Sequence, residues 1–222
     1  MNIFRTIWKN PRAVMREILD NRSFLIPFVI LYFGSVGVGL FSLYDSQGMD
    51  FSSEIYTDMD MAMEPFEIPI WFSLIIAIVI SPIFYFISNI IYSFFTMLFG
   101  KWLFKGTGTF KDLLKVNSAA YLPFTVVIPI VGVWLIISPD SFLDARNMGI
   151  FGLIVFILVV IFTWIYFFIL NLVGVSEAHQ FSKWKAFFTM LIPMILFFIF
   201  VFLIIAAIFV LLIIIFTSLA AV

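Results

Sequence analysis

The stretch Ala186–Thr217, AFFTMLIPMILFFIFVFLIIAAIFVLLIIIFT, contains no ionisable side chain. It is longer than the ~20 apolar residues a helix needs to cross a ~30 Å hydrocarbon core. No water in that core can satisfy backbone N–H and C=O groups, so the segment has to be helical. Four more stretches read the same way: Phe24–Tyr44, Ile68–Phe99, Val116–Ser138 and Gly149–Val173, none of which holds Asp, Glu, Lys, Arg or His. The expected fold class is all-α. It is a polytopic membrane helical bundle of about five transmembrane helices, with an N-terminal interfacial amphipathic helix ahead of it. The chain divides into a cytoplasmic interfacial segment, 1–22, and a transmembrane domain, 23–222, with spans at about 24–44, 68–99, 116–138, 149–173 and 186–217. Pro82 and Pro193 fall inside the second and fifth stretches and predict kinks or breaks there. The excess length of the fifth stretch is taken up either by lying along the interface before Pro193 and crossing after it, or by a tilt.

Composition agrees. The chain is 64% hydrophobic and 11% charged, against roughly 45–50% and about 25% in soluble domains. A net charge of −1 provides no global basic field, which argues against nucleic acid as a partner. The chain has no Cys, and His179 is its one histidine. Disulfides, thiolate zinc sites and histidine metal cages are thereby excluded, and no cofactor is expected.

Orientation follows from the loops. All basic residues except Arg146 lie in three segments: Arg5, Lys9, Arg12, Arg16 and Arg22; then Lys101, Lys105, Lys111 and Lys115; then Lys183 and Lys185. The connection between the first two spans holds Asp45, Asp50, Glu54, Asp58, Asp60, Glu64 and Glu67 and no base. The positive-inside rule places the N-terminus in the cytoplasm and the C-terminus outside. Trp71 and Trp134 fall near the outer interface, Trp102 and Trp184 near the inner one.

Residues 1–22 are too charged for a signal-peptide core. Ile3, Phe4, Ile7, Trp8, Val14, Met15, Ile18 and Leu19 share one helical side, and Arg5, Lys9, Arg12 and Arg16 the other. Asn10 and Pro11 read as an N-cap and first helical residue. A short helix, a kink and a second helix over Pro11–Asp20 are expected. The apolar face is expected to lie in the inner leaflet, with those four bases against anionic lipid.

Candidate chemistry is sparse. The outer carboxylates lack EF-hand spacing. Met49, Met59, Met61 and Met63 are soft ligands of the kind that suits Cu(I), but methionine is also common apolar filler. Glu177 and His179 stand two apart in the loop from Gly174 to Lys185. On a helix they would point to different faces, a poor acid–base pair; in a loop they could meet. The candidate polar cluster is Asn89, Asn117, Tyr121, Asn171, Glu177 and His179. Ser35 and Gly39, with Gly34 and Gly37, form a small-residue face for close packing within the monomer or between monomers. No ionisable residue is buried in a span, which argues against proton pumps and ion-coupled carriers. Gly106 and Gly108 lack nucleotide-loop spacing.

Three segments carry a family resemblance: IWKNPRAVMREILD (Ile7–Asp20), GTGTFKDLLKVNSAAYLPF (Gly106–Phe124) and VGVSEAHQFSKWKAF (Val173–Phe187). Together with the five-span layout they resemble the Yip family, the Ypt/Rab-interacting proteins, in prokaryotic form. In eukaryotes that resemblance implies vesicle-traffic adaptors that bind prenylated Rab GTPases. It transfers no catalytic residue. The expected function is a non-enzymatic membrane scaffold or adaptor in the cytoplasmic membrane, partnered by itself or by another membrane protein. The alternative is a carrier or channel for a neutral or amphipathic solute or lipid, in which Asn89, Asn117, Tyr121 and Asn171 converge on a cavity.

Overall fold

A computed structural model describes residues 3–48, 70–137 and 149–220. Within them the regular elements are α1 (Ile3–Thr6), α2 (Pro11–Asp20), α3 (Leu25–Gly48), α4 (Ile70–Ile75), a π turn (Ile76–Ile80), α5 (Ser81–Phe104), α6 (Phe110–Ala119), a 3₁₀ turn (Leu122–Val126), α7 (Val127–Ile137), α8 (Ile150–His179) and α9 (Lys183–Ala220). The acidic, methionine-rich stretch 49–67 and Arg146 lie outside the described residues.

Trp71–Phe104, Phe110–Ile137, Ile150–His179 and Lys183–Val210 are each long and apolar enough to cross a membrane. Helix α3 (24 residues) adds a shorter apolar stretch, Leu25–Phe41. The molecule is a multi-pass membrane protein.

The second crossing absorbs Pro82 without a break. Proline has no N–H for the carbonyl four residues earlier, here Ile78. The π turn over Ile76–Ile80 sits just ahead of it. The Tyr32 hydroxyl on α3 donates to the Ile78 carbonyl at 3.4 Å. A backbone group freed by proline thus finds a partner on the neighbouring helix.

The third crossing is broken. The expected span from Val116 to Ser138 is instead α6, the 3₁₀ turn and α7. Pro123 stands inside that turn, where an α-helical N–H is missing. The turn lies directly against α3. A Cβ built on Gly34 would stand 2.5 Å from the Tyr121 carbonyl oxygen, and one on Gly37 would stand 2.0 Å from that of Phe124. The small-residue face of α3 is therefore used inside the monomer. We expect Gly37→Ala to lower the unfolding free energy by about 1–3 kcal/mol, because the turn must shift. Unfolding in mixed micelles measures it. Gly132→Ala is the control, since its Cβ would meet nothing within 4 Å. Equal midpoints for the two variants would refute the close-approach account.

The last helix runs unbroken from Lys183 through Pro193 to Ala220. Before Pro193, Ala186, Thr189 and Met190 are buried against the bundle. This part packs on protein. From Met194 to Val210 no residue whose side chain is described is buried.

Ahead of the bundle, the expected pair of helices forms with its kink between them. The Asn10 side chain accepts from the Ala13 N–H at 3.1 Å, and Pro11 opens α2. The covering of α2 differs from expectation. Ile7, Val14, Met15 and Ile18 are 0–3% exposed. They pack on Leu113, Val116, Ala119, Leu170 and Val173 in one cluster. The apolar face is covered by α6 and α8, not by the leaflet. An amphipathic pattern specifies a face to bury, and here the apolar sides of two neighbouring helices offer a closer fit than lipid tails.

Candidate functional site

Three separated segments meet at one end of the bundle. They are the start of the chain, the connection 105–109 with α6, and the turn between α8 and α9. Ten of the basic residues belong to these segments or to the adjoining end of α5, namely Lys9, Arg12, Arg16, Arg22, Lys101, Lys105, Lys111, Lys115, Lys183 and Lys185. Arg5 lies on α1 beside them. This basic end holds the densest polar chemistry among the described residues.

His179 lies at its centre, 2% exposed. Helix α8 extends six residues past the expected end at Val173, so both Glu177 and His179 are helical rather than in a loop. The helix closes with Gln180 in the left-handed region, φ 56°. The imidazole Nδ1 accepts from the Gly108 N–H at 3.2 Å. Nε2 lies 3.2 Å from the Thr96 carbonyl oxygen. An accepting Nδ1 places the ring proton on Nε2, which donates to Thr96. Phe181 stacks on the ring at a centroid distance of 4.9 Å. Glycines make the room: a Cβ on Gly100 would stand 2.3 Å from Nε2, and one on Gly106 would stand 2.3 Å from Nδ1. Thr107 N–H also donates to the His179 carbonyl at 3.3 Å. With both ring nitrogens engaged, His179 bolts the α5–α6 connection to the end of α8.

Glu177, two residues earlier, faces another way. Its Oε1 accepts from Arg12 Nε and its Oε2 from Arg16 Nε at 2.6 Å. The glutamate side chain is 9% exposed, while the arginines are 60% and 58% exposed. The i, i+4 spacing of Arg12 and Arg16 puts them on one face of α2. One nearly buried carboxylate thereby clamps α2 to α8. Arg12 and Arg16, expected to meet anionic lipid, meet this carboxylate. Tyr166 reinforces the joint. Its hydroxyl donates to the Ile7 carbonyl at 2.7 Å, and its ring stacks on Trp8 at 4.6 Å.

The other expected site residues are dispersed among helix contacts. Asn89 Nδ2 donates to Ser118 Oγ at 2.8 Å, and Asn117 Nδ2 donates to Ser93 Oγ at 3.0 Å. These two bonds cross-link α5 and α6. Asn171 Nδ2 donates within its own helix to the Phe167 carbonyl at 3.1 Å. Asn117 Oδ1 and Asn171 Oδ1 are buried without a partner among the described residues. Tyr121 packs edge-on to Phe167 at 5.0 Å.

A cavity of about 740 Å³ opens between α2, Asp112 of α6, the end of α8 and the turn Gln180–Ser182 that follows it. Glu177 is the one member of the expected cluster that lines it; Asn89, Asn117, Tyr121, Asn171 and His179 do not. One ionisable group at this end is buried next to the expected third span. Helix α6 starts earlier than expected and carries Lys115, 6% exposed. Its ammonium donates to the Asn21 carbonyl and lies 5.1 Å from the Phe24 ring centroid. Sequence reading missed Thr96, Gly100, Lys115 and Tyr166. The signal for Tyr166 was a polar-tipped ring in an otherwise apolar run.

Comparison with known proteins adds one finding. The family model described as the Yip1 domain matches residues 5–205. No curated protein matches, and no solved structure matches.

Proposed function

The chain belongs to the Yip1 domain family, and from that premise we propose that it is a non-enzymatic membrane scaffold or adaptor. The carrying observation is how its intramembrane polar groups are used. Asn89 with Ser118 and Asn117 with Ser93 join helix to helix, which is what such groups do when they hold a bundle together. The glycine face of α3 is likewise spent on internal packing. One surface open to a partner is α9 beyond Pro193, where Phe200, Phe202 and Phe209 are each more than half exposed. We assign the basic end to the cytoplasmic face of the cell membrane, since the basic segments expected on that side converge there.

Native mass spectrometry of the chain, released gently with surrounding lipid, tests this. A stoichiometric membrane-protein partner or a defined homo-oligomer is the expected result. A monomer without a partner, together with solute flux in liposomes, would overturn it in favour of a carrier.

A further inference from the structure

The cavity at the basic end carries charges of both signs. Arg12, Arg16, Asp20 and Asp112 line it, with Leu19 and Phe181 as apolar wall. Its volume, about 740 Å³, falls within the ~300–1,000 Å³ of ligand clefts. The arginines stand exposed toward solvent, with Glu177 nearly buried behind them. One carboxylate cannot take up all the N–H donors of two guanidinium forks. The pair therefore retains capacity for a further bidentate oxyanion. Glu177 holds both forks in place through their Nε atoms, so the second partner meets a preorganised pair.

The acids decide what kind of anion fits. Asp20 lies one turn beyond Arg16 on α2, about 6 Å along the axis. Asp112 closes the cavity from α6, its Oδ2 fixed by the Thr109 N–H and hydroxyl. A plain monoanion would be drawn to the arginines and repelled by these carboxylates. A phosphate joined by a short linker to a primary ammonium satisfies both ends. A quaternary ammonium has no N–H to give the carboxylates.

Trp102 and Trp184, each 74% exposed, sit at this same end, next to Lys101, Lys183 and Lys185. Exposed tryptophan with lysine marks the headgroup layer of a bilayer. We propose that the cavity binds the aminophosphate headgroup of a phosphatidylethanolamine lipid from the leaflet at the basic end, phosphate on Arg12 and Arg16 and ammonium on Asp20 and Asp112. This site does not depend on the adaptor reading. A scaffold uses it as a lipid anchor, and its readout is lipid identity rather than protein partner.

The test places the intact chain in vesicles of equal phosphatidylethanolamine, phosphatidylglycerol and phosphatidylcholine and reads retained lipid by native mass spectrometry. The expected result is preferential retention of the ethanolamine lipid. Asp20→Asn should reduce the ethanolamine-to-glycerol retention ratio about fivefold, the weight of roughly 1 kcal/mol, while phosphate-bearing lipid is still retained. Arg16→Gln should weaken retention of both. Gly132→Ala, on α7 and absent from the cavity lining, should change neither. Added soluble phosphoethanolamine should compete weakly; full displacement by it would overturn the lipid source in favour of the free metabolite. No headgroup preference in the unsubstituted chain, or a ratio unmoved by Asp20→Asn, would overturn the site.

Discussion

Replacing His179 by alanine is expected to lower the unfolding free energy by about 3–5 kcal/mol, the range for emptying a large, fully buried side chain. Two losses combine. The ring leaves a void between Gly100, Gly106 and Phe181, whose spacing is set by the imidazole. The Gly108 N–H loses its partner, and a buried backbone group without one costs about 1–3 kcal/mol; the Thr96 carbonyl, inside α5, loses a second one. A coupling measurement separates this account from generic destabilisation. Gly106→Ala alone should be costly, because its Cβ would stand 2.3 Å from Nδ1. In the His179→Ala background the same methyl enters the void and should cost little or even stabilise. Unfolding of the four proteins in mixed micelles closes the cycle. If Gly106→Ala costs the same in both backgrounds, the glycines do not exist to seat this ring. His179→Asn should recover part of the loss, since its amide can accept from Gly108.

Much of this was legible because it rests on local chemistry. Asn10–Pro11 announced a cap and a helix start, and the structure has both. The two-residue spacing of Glu177 and His179 implied different helix faces. One indeed turns to α2 and the other to the glycines at 106–108. What stayed hidden depends on a neighbour supplied by tertiary structure. The charge rule drew the edges of the spans at Val116 and Val173, yet α6 begins at Phe110 and α8 ends at His179. Charged residues end a hydropathy window, but they do not end a helix when a partner is at hand. Lys115 has the Asn21 carbonyl and Glu177 has two arginines. The break at Leu122–Val126 was likewise hidden, although Pro123 and the glycines of α3 are its two halves. Only their packing shows that they belong together.

The covering of α2 gives the second large effect. Val14 is fully buried, so Val14→Asp sets a carboxylate among Leu113, Val116 and Leu170. Burying a polar group without a partner costs roughly 2–7 kcal/mol. The cheaper response is for α2 to leave its seat. At ~3 kcal/mol, amide hydrogen exchange along Met15–Asp20 should accelerate about a hundredfold. Exchange in α2 alone does not discriminate, because a helix lying in lipid would also be expelled by a buried acid. The neighbours do. If α2 covers protein, its departure strips Met15 from beside Gly174, to whose Cβ position its sulfur lies 3.6 Å. Protection should then fall in α6 and in the last turns of α8 as well. The Arg12–Glu177 and Arg16–Glu177 pairs should loosen with it, so Glu177→Gln should cost less in the Val14→Asp background than alone. An α2 that exchanges fast while α6 and α8 keep full protection would place the helix in the leaflet, as its amphipathic pattern first suggested, and would dissolve the joint between the chain's start and helices α6 and α8.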